Sequence, residues 1–452
     1  MEKNLTTGSV PKRILLFSLP YLLSFFLQTL YGMADLFIIG QYEGVASTTA
    51  VSVGSQVMHM LTVVLVGLAM GSTVAIGQAV GGGKRQKTAA CVGNTVTLFM
   101  SLSLVLTAVL LVLARPIVSL ISTPQDAVAG AVSYLSVCFA GIPFIVAYNI
   151  LSSIFRGMGD SKSPMYFIAI ACVVNIALDY LFMGAMGMGP VGAALGTTLA
   201  QAVSVAVSLV MMRRRQRGLR ITRQDLKPRR AIMGQILKIG VPVALQDGFI
   251  QISFLLITVI ANHRGLNDAA AVGIVEKIIG FLFLGPSAML STVSALGAQN
   301  IGAGKPERAL QTLRYAILMV SALGLAVSVT IQFIAEPIVA LFTDVSTPEG
   351  GQVVRLGGQY LRGYVWDCFL AGIQFSFSGY FCAYGRSDLS FLHNLLSVVL
   401  VRVPGAYLTS RLFADTLFPM GLASAAGSML SVIVCLIAFR HLRRKEKEKS
   451  LG

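Results

Sequence analysis

The segments AIGQAVGGGKRQKTA (75–89) and ALGAQNIGAGKPERAL (295–310) decide how this chain is read. Gln78 answers Gln299, Gly83 answers Gly304, and a lysine follows the glycine in both. The correspondence extends outward at a nearly constant separation. ARPIVSLIST (114–123) answers AEPIVALFTD (335–344), FRGMGDS (155–161) answers FCAYGRS (381–387), and GAALGTTLA (192–200) answers GLASAAGSM (421–429). Pro20 answers Pro242. A chain that repeats itself at a fixed distance folds as copies of one unit.

The unit is a membrane unit. The 452 residues are 55% hydrophobic and 12% charged, with a mean hydropathy of +0.77. Apolar runs of about twenty residues recur from end to end, the length a helix needs to cross a bilayer. They are too long, and alternate too weakly, for barrel strands. Twelve spans are expected, starting near residues 14, 51, 91, 131, 165, 191, 236, 270, 313, 358, 390 and 419. Six per half is an even number, so both halves start on one side of the membrane. They are parallel repeats about a pseudo-two-fold axis along the membrane normal, an arrangement used by transporters that bind cargo between halves. The expected divisions are an N-lobe at 1–213, a basic linker at 214–234, a C-lobe at 235–440 and a basic tail at 441–452. The first apolar run is too long for a removable signal peptide.

The charge sorts by loop. Lys3, Lys12 and Arg13, then Lys84, Arg85 and Lys87, then Arg156 and Lys162, the linker RRRQRGLRITRQDLKPRR (213–230), Lys305 and Arg308, and the tail RHLRRKEKEK (440–449) all fall on one side. The other side carries only Arg115, Arg264, Arg355, Arg362 and Arg411. This asymmetry places the basic loops and both termini in the cytoplasm. The net charge of +16 is therefore chiefly a topology signal, and attraction to anionic lipid is its natural second role. No aromatic interleaving or binding fold suggests nucleic acid. The GGGK and GAGK turns lack the P-loop pattern and follow no strand, so they read as tight turns. Six scattered cysteines and four scattered histidines form no metal-ligand spacing, and nothing at membrane depth pairs a nucleophile with a base. An enzyme is not expected.

Against this background Asp35 stands out, a carboxylate inside an apolar run. At about 1.5 Å of rise per residue, Asp35 lies roughly 10 Å below the outer surface. Asp179 of the fifth span falls at the same level, with Asn175 one turn deeper on the same face. Thr197, on the returning sixth span, is again roughly 10 Å in. An aspartate is too short to reach the interface from there. Carboxylates, an amide oxygen and a hydroxyl are hard ligands, suited to a proton or a small cation. Two carboxylates held close in low dielectric cannot both stay charged cheaply. Gln28, Tyr31 and Asp35 share one helical stripe, and Tyr31, Met33, Tyr148 and Phe155 suit flat, varied molecules. The candidate cargo cavity is Gln28, Tyr31, Met33, Tyr148, Asn149, Phe155, Gln246 and Glu276. Arg402 is expected to be structural and paired with Asp367, and Asp247 has no assigned partner.

These residues resemble the multidrug and toxic compound extrusion (MATE) transporters. The paired segments with Gln78…Gly83 and Gln299, Asn300…Gly304 look like that family's repeat signature, MADLFIIG (33–40) like its first helix, and NIALDYLFMG (175–184) and GAALGT (192–197) like its fifth and sixth. The likeness is closer to the bacterial DinF and MepA-like groups than to NorM. It implies an all-α fold of two six-helix bundles around a central cleft. It also implies cation-coupled antiport of organic, often cationic, compounds. The family's cation or proton ligands match Asp35, Asn175, Asp179 and Thr197, which would be the metal ligands if Na⁺ is the coupling ion. The expectation is thus a monomeric multidrug efflux antiporter in a bacterial inner membrane, with no cofactor beyond H⁺ or Na⁺. The alternative is a flippase or exporter of a lipid-linked or other amphiphilic metabolite.

Overall fold

The computed structural model describes residues 5–121, 123–215 and 221–451. Lys3, Ser122, Arg217, Arg220 and Gly452 lie outside them, as do the side chains of Arg215, Lys445, Lys447 and Lys449. The described residues are helices joined by short turns, with no strand. A backbone in hydrocarbon must satisfy its own N–H and C=O groups, which leaves the helix as the local solution.

Twelve helical passages are numbered here in chain order. Passages 1 to 3 are Val10–Tyr42, Val45–Gly81 and Arg85–Leu120. Passage 4 is broken into Gln125–Ala140 and Ile142–Gly157, bent by 51°. Passages 5 to 9 are Lys162–Ala185, Gly189–Arg214, Arg230–Asn262, Leu266–Gly302 and Pro306–Ala340. Passage 10 is again broken, into Pro348–Tyr364 and Trp366–Ala383. Passages 11 and 12 are Ser387–Leu412 and Phe418–Leu451. Ten of these are single helices long and apolar enough to cross a membrane. Several begin before the expected apolar starts, at Val45, Arg85 and Gln125. Hydropathy marks the hydrocarbon slab, whereas helical hydrogen bonding continues into polar flanks.

The duplication is written in the backbone as well as in the residues. Gly83 and Gly304 hold φ of 66° and 70° in equivalent turns, and Gly159 and Gly385 hold 86° and 70°. Only glycine takes this left-handed geometry without strain. The breaks in passages 4 and 10 also correspond. Passages 5 and 11 each also contain a π-helical turn, Tyr180–Ala185 and Val398–Arg402, but at different heights, since the spacing of Gly159 and Gly385 sets the second opposite residues 172–176.

The chain packs into two compact units. The first comprises Met1–Thr7, Leu15–Ala244 and Ala298–Gly304, and the second Gly8–Ile14, Leu245–Gly297 and Lys305–Gly452. In the first unit, Ile39, Val51, Tyr134, Phe139, Ile154 and Phe167 belong to one buried core. The repeat signature has a structural job there. A Cβ on Gly81 would run into the carbonyl oxygen of Gln299, and one on Gly302 into that of Gln78. The two copies of the motif thus cross backbone to backbone, as small residues allow between membrane helices. Side chains tie the crossing. Gln235 Nε2 donates to Gln78 Oε1 at 3.0 Å, Gln299 Nε2 to the Gly157 carbonyl at 3.0 Å, and the Leu5 N–H to Gln299 Oε1 at 3.2 Å.

The second unit has its own core around Ile257, Val275, Tyr360 and Tyr364. His393 fastens three of its passages. Ser431 Oγ donates to the His393 carbonyl at 3.0 Å and so accepts from Nδ1 at 2.9 Å. Nε2 is then the acceptor for Ser378 Oγ at 2.8 Å.

The crossing generates a stability prediction. Gly302→Ala must push the Gln78 carbonyl away and is expected to cost about 1–3 kcal/mol, read as a lower melting temperature in detergent. Gly280→Ala, where a Cβ meets nothing within 4 Å, should leave the melting temperature unchanged or raise it.

Candidate cation site

The site lies wholly within the first unit, on passages 1, 5 and 6. Passage 1 is sided. Tyr31, Asp35, Ile38 and Ile39 are buried, while Met33 and Phe37 are exposed. Period 3.6 therefore turns Asp35 inward, where it is 1% exposed. On passage 5 the α-helix runs to Asp179 and then widens into the π turn. Such turns are rare and gather at functional sites. Asn175 and Asp179, one turn apart, are both fully buried. On passage 6, Gly196 and Thr197 complete the arrangement.

Thr197 Oγ1 donates to Asp35 Oδ2 at 3.0 Å, and the Tyr31 hydroxyl donates to the Thr197 carbonyl at 3.1 Å. Asp35 also lies within interaction range of Asp179 and Asn175. A Cβ on Gly196 would collide with Asp179 Oδ1 and stand 3.6 Å from Asn175 Nδ2. The geometry thus brings all four expected residues together. It adds Gly196, which sequence reasoning passed over because an absent side chain carries no chemistry of its own.

The hydrogen-bond accounting is unusual. Asp35 Oδ1, both Asp179 oxygens and both polar atoms of Asn175 are buried without a hydrogen-bond partner. Buried polar groups in folded proteins are nearly always matched, and each exception calls for an explanation. Four of these five atoms are oxygens, and two carboxylates supply three of them. Such a cluster can share a proton or hold a small hard cation through carboxylate, amide and hydroxyl oxygens. Among the described residues, no group of three or more His, Cys, Asp or Glu forms a metal cluster, so a multi-carboxylate divalent cage is not what this site offers.

The expected cavity residues disperse. Gln28, Tyr148 and Asn149 line one small cleft with Tyr21, Ser24, Phe25, Val66 and Arg156. The Arg156 guanidinium stands 4.7 Å from the centroid of the Tyr21 ring. Tyr31 belongs to the acid site instead. Met33 is 52% exposed on the opposite face of passage 1, because two residues advance a helix by about 200°. Phe155 packs edge-on against Phe167 at 5.2 Å within the core. In the second unit, Gln246 accepts a hydrogen bond from Ser390, and Glu276 accepts one from Thr258 at 3.0 Å.

The second unit treats its buried charge differently. Arg402, at the end of the second π turn, donates to Asp367 Oδ2 at 2.9 Å, the expected pairing, and to the Tyr364 hydroxyl. The Phe254 ring lies 5.3 Å from the guanidinium. Asp367 and Arg402 are 0% and 5% exposed at their side chains. Asp247 is half-buried near Cys382.

A duplicated helical membrane protein with an unmatched acid pair in one half and a neutralised ion pair in the other has the make-up of a transporter. The MatE family model matches residues 20–181 and 242–408, one stretch in each half. The chain belongs to the MATE family, whose members are transporters rather than enzymes. A Bacillus subtilis relative, described as "Probable multidrug resistance protein YpnP", is 28% identical over 441 residues, covering 97% of each chain. A Shewanella oneidensis protein described as "FAD transporter" is 25% identical over 439 residues, covering 95% of this chain and 94% of its own. A crystal structure of a MATE protein in the bent conformation superposes with a TM-score of 0.91 at 24% identity. It covers 99% of this chain and 98% of its own.

Two outcomes follow. Gly196→Ala should displace the Asp179 carboxylate and lower transport at least tenfold, roughly the penalty for a misplaced functional group, at unchanged membrane expression. Asp367→Asn should destabilise the protein by about 3–5 kcal/mol through an uncompensated buried Arg402. The double variant Asp367→Leu/Arg402→Met should regain most of that loss in a thermal-melt assay.

Proposed function

We propose that this protein is a secondary active multidrug exporter that exchanges H⁺ or Na⁺ for organic, chiefly cationic, compounds by alternating access. It works as a monomer in the bacterial cytoplasmic membrane, with both termini and the basic loops on the cytoplasmic side and no nucleic-acid partner. The observation that carries the reading is the set of unmatched oxygens on Asp35, Asn175 and Asp179. A permanently empty acid pair in hydrocarbon would be a standing cost. A pair that is alternately filled and released is a coupling element.

In this scheme Asp35 and Asp179 bring the charge, Asn175 and Thr197 add neutral oxygens, and Tyr31 fixes Thr197 through its backbone. A cation arriving from outside neutralises the pair and disfavours a bound cationic compound. The helices of the first unit, with Pro20 inside passage 1, then rearrange and release the cargo. Loss of the cation on the inner side restores the charge that draws the next compound.

The FAD transporter among the relatives keeps a second reading open, export of an amphiphilic metabolite. A polyanionic cargo calls for a free buried cation, and Arg402 is already neutralised by Asp367. That weighs toward the cationic reading.

The test is efflux of a fluorescent cationic dye from proteoliposomes under an imposed ΔpH or ΔNa⁺. Wild-type protein should respond to one of the two gradients. Asp35→Asn should abolish that dependence at normal expression, and gradient-driven efflux by this variant at the wild-type rate would sink the coupling role.

A further inference from the structure

The basic linker looks in sequence like a free tether, yet part of it is docked. Residues 222–229 lie along passage 3. Asn94 Nδ2 donates to the Asp225 carbonyl at 3.1 Å, the Arg229 N–H donates to Asn94 Oδ1 at 2.7 Å, and Thr97 Oγ1 donates to the Leu226 carbonyl at 2.7 Å. Gly93 makes room, since a Cβ there would strike the Asp225 backbone. The strap is also closed on itself. Thr222 donates to Asp225 Oδ2 from its N–H at 2.9 Å and from its hydroxyl at 2.7 Å. These bonds, with the Thr222 backbone first, hold the Asp225 carboxyl below the ordinary carboxylate range. The one acid of residues 221–230 is thus engaged within the strap.

The basic residues are not. Arg223, Lys227, Arg229 and Arg230 are exposed, and so is Lys87 at the start of passage 3. None of the five makes an ion pair among the described residues. Lys87 and Arg229 both act on Cys91, which puts them in one neighbourhood.

The level of this patch is set by its neighbours. Seven residues beyond Thr97, roughly 10 Å along the helix, passage 3 exposes Leu104 at 64% and Val105 at 60%, an apolar surface made for acyl chains. The strap itself exposes Ile221 and Leu226 beside its charges. Apolar side chains flanked by Arg and Lys at the edge of a lipid-facing belt match the boundary between headgroups and acyl chains.

We propose that the docked strap, with Arg223, Lys227 and Arg230 as its chief contacts, is a binding surface for anionic phospholipid headgroups of the inner leaflet. Guanidinium and ammonium groups meet the lipid phosphate, and Ile221 and Leu226 rest on the first methylenes. The hydrogen bonds to Asn94 and Thr97 hold the charges at headgroup height, so the surface is preorganised rather than a mobile basic tail. This assignment depends on the basic end facing the cytoplasm but not on any coupling role for Asp35.

Native mass spectrometry of the full-length protein, released from vesicles of equal phosphatidylglycerol and phosphatidylcholine, tests it. Wild-type protein should retain phosphatidylglycerol preferentially. Arg223→Gln/Lys227→Gln/Arg230→Gln should lose that preference about tenfold or more, given the contribution of each basic residue near an anionic surface. Hydrogen exchange at Asp225 and Leu226 should stay as in wild type, showing the strap still docked. The tail variant Arg440→Gln/Arg444→Gln should retain the preference. Wild-type lipid selectivity in the strap variant, or an equal loss in the tail variant, overturns the assignment, and dye efflux by Asp35→Asn bears on neither result.

Discussion

Everything in this molecule follows from one constraint, that a peptide group in hydrocarbon has no water to bond to. The backbone must close its hydrogen bonds within each segment, so the chain becomes a set of helices. Once the backbone is satisfied, side chains decide the rest, and polarity becomes conspicuous because so little of it is tolerated. The same constraint explains the contact between the two repeat motifs. With no hydrophobic drive between helices already in lipid, close approach has to be won by small residues and a few hydrogen bonds. Gly81 and Gly302 supply the approach, and Gln78, Gln235 and Gln299 supply the bonds.

Within that frame the two units spend their buried charge in opposite ways. Asp367 and Arg402 neutralise one another and are held by Tyr364. That arrangement is balanced in charge, although Asp367 Oδ1 and Arg402 Nε are also buried without a hydrogen-bond partner. Asp35 and Asp179 are both acids, and among the described residues the hydrogen bond they receive is the one from the Thr197 hydroxyl to Asp35. An arrangement of that kind leaves acceptors unfilled, which is the ground for the proposed exchange of a cation there. The two clusters differ in net charge, one an ion pair and the other two acids, rather than in burial.

Much of this was legible in the sequence because membrane sequences are strongly patterned. Apolar run length gave the spans, internal repetition gave the two related halves, and helical rise placed Asp35, Asn175, Asp179 and Thr197 at nearly one depth. What stayed hidden depends on local geometry that residue types do not announce. The bend at Gly141 and the π turn after Asp179 are backbone events. Gly196 matters by what it lacks. The cavity residues illustrate the limit of a composition argument, since Met33 and Phe155 have suitable surfaces for flat cargo, but helical phase turns one outward and core packing claims the other. The docked strap was hidden for a similar reason. Its anchors are carbonyl and amide groups, met by Asn94 and Thr97 from far along the chain.

The paired left-handed turns, Gly83 with Gly304 and Gly159 with Gly385, carry a consequence of their own. They are a backbone inheritance that both copies kept after duplication, while the buried charge between them diverged in sign. The scaffold has therefore served as a mould whose shape was conserved while its ionic content was free to drift. A functional change of polarity in such a fold does not require a new architecture. It can proceed by rewriting a few buried side chains between turns that the copying event had already placed in both halves.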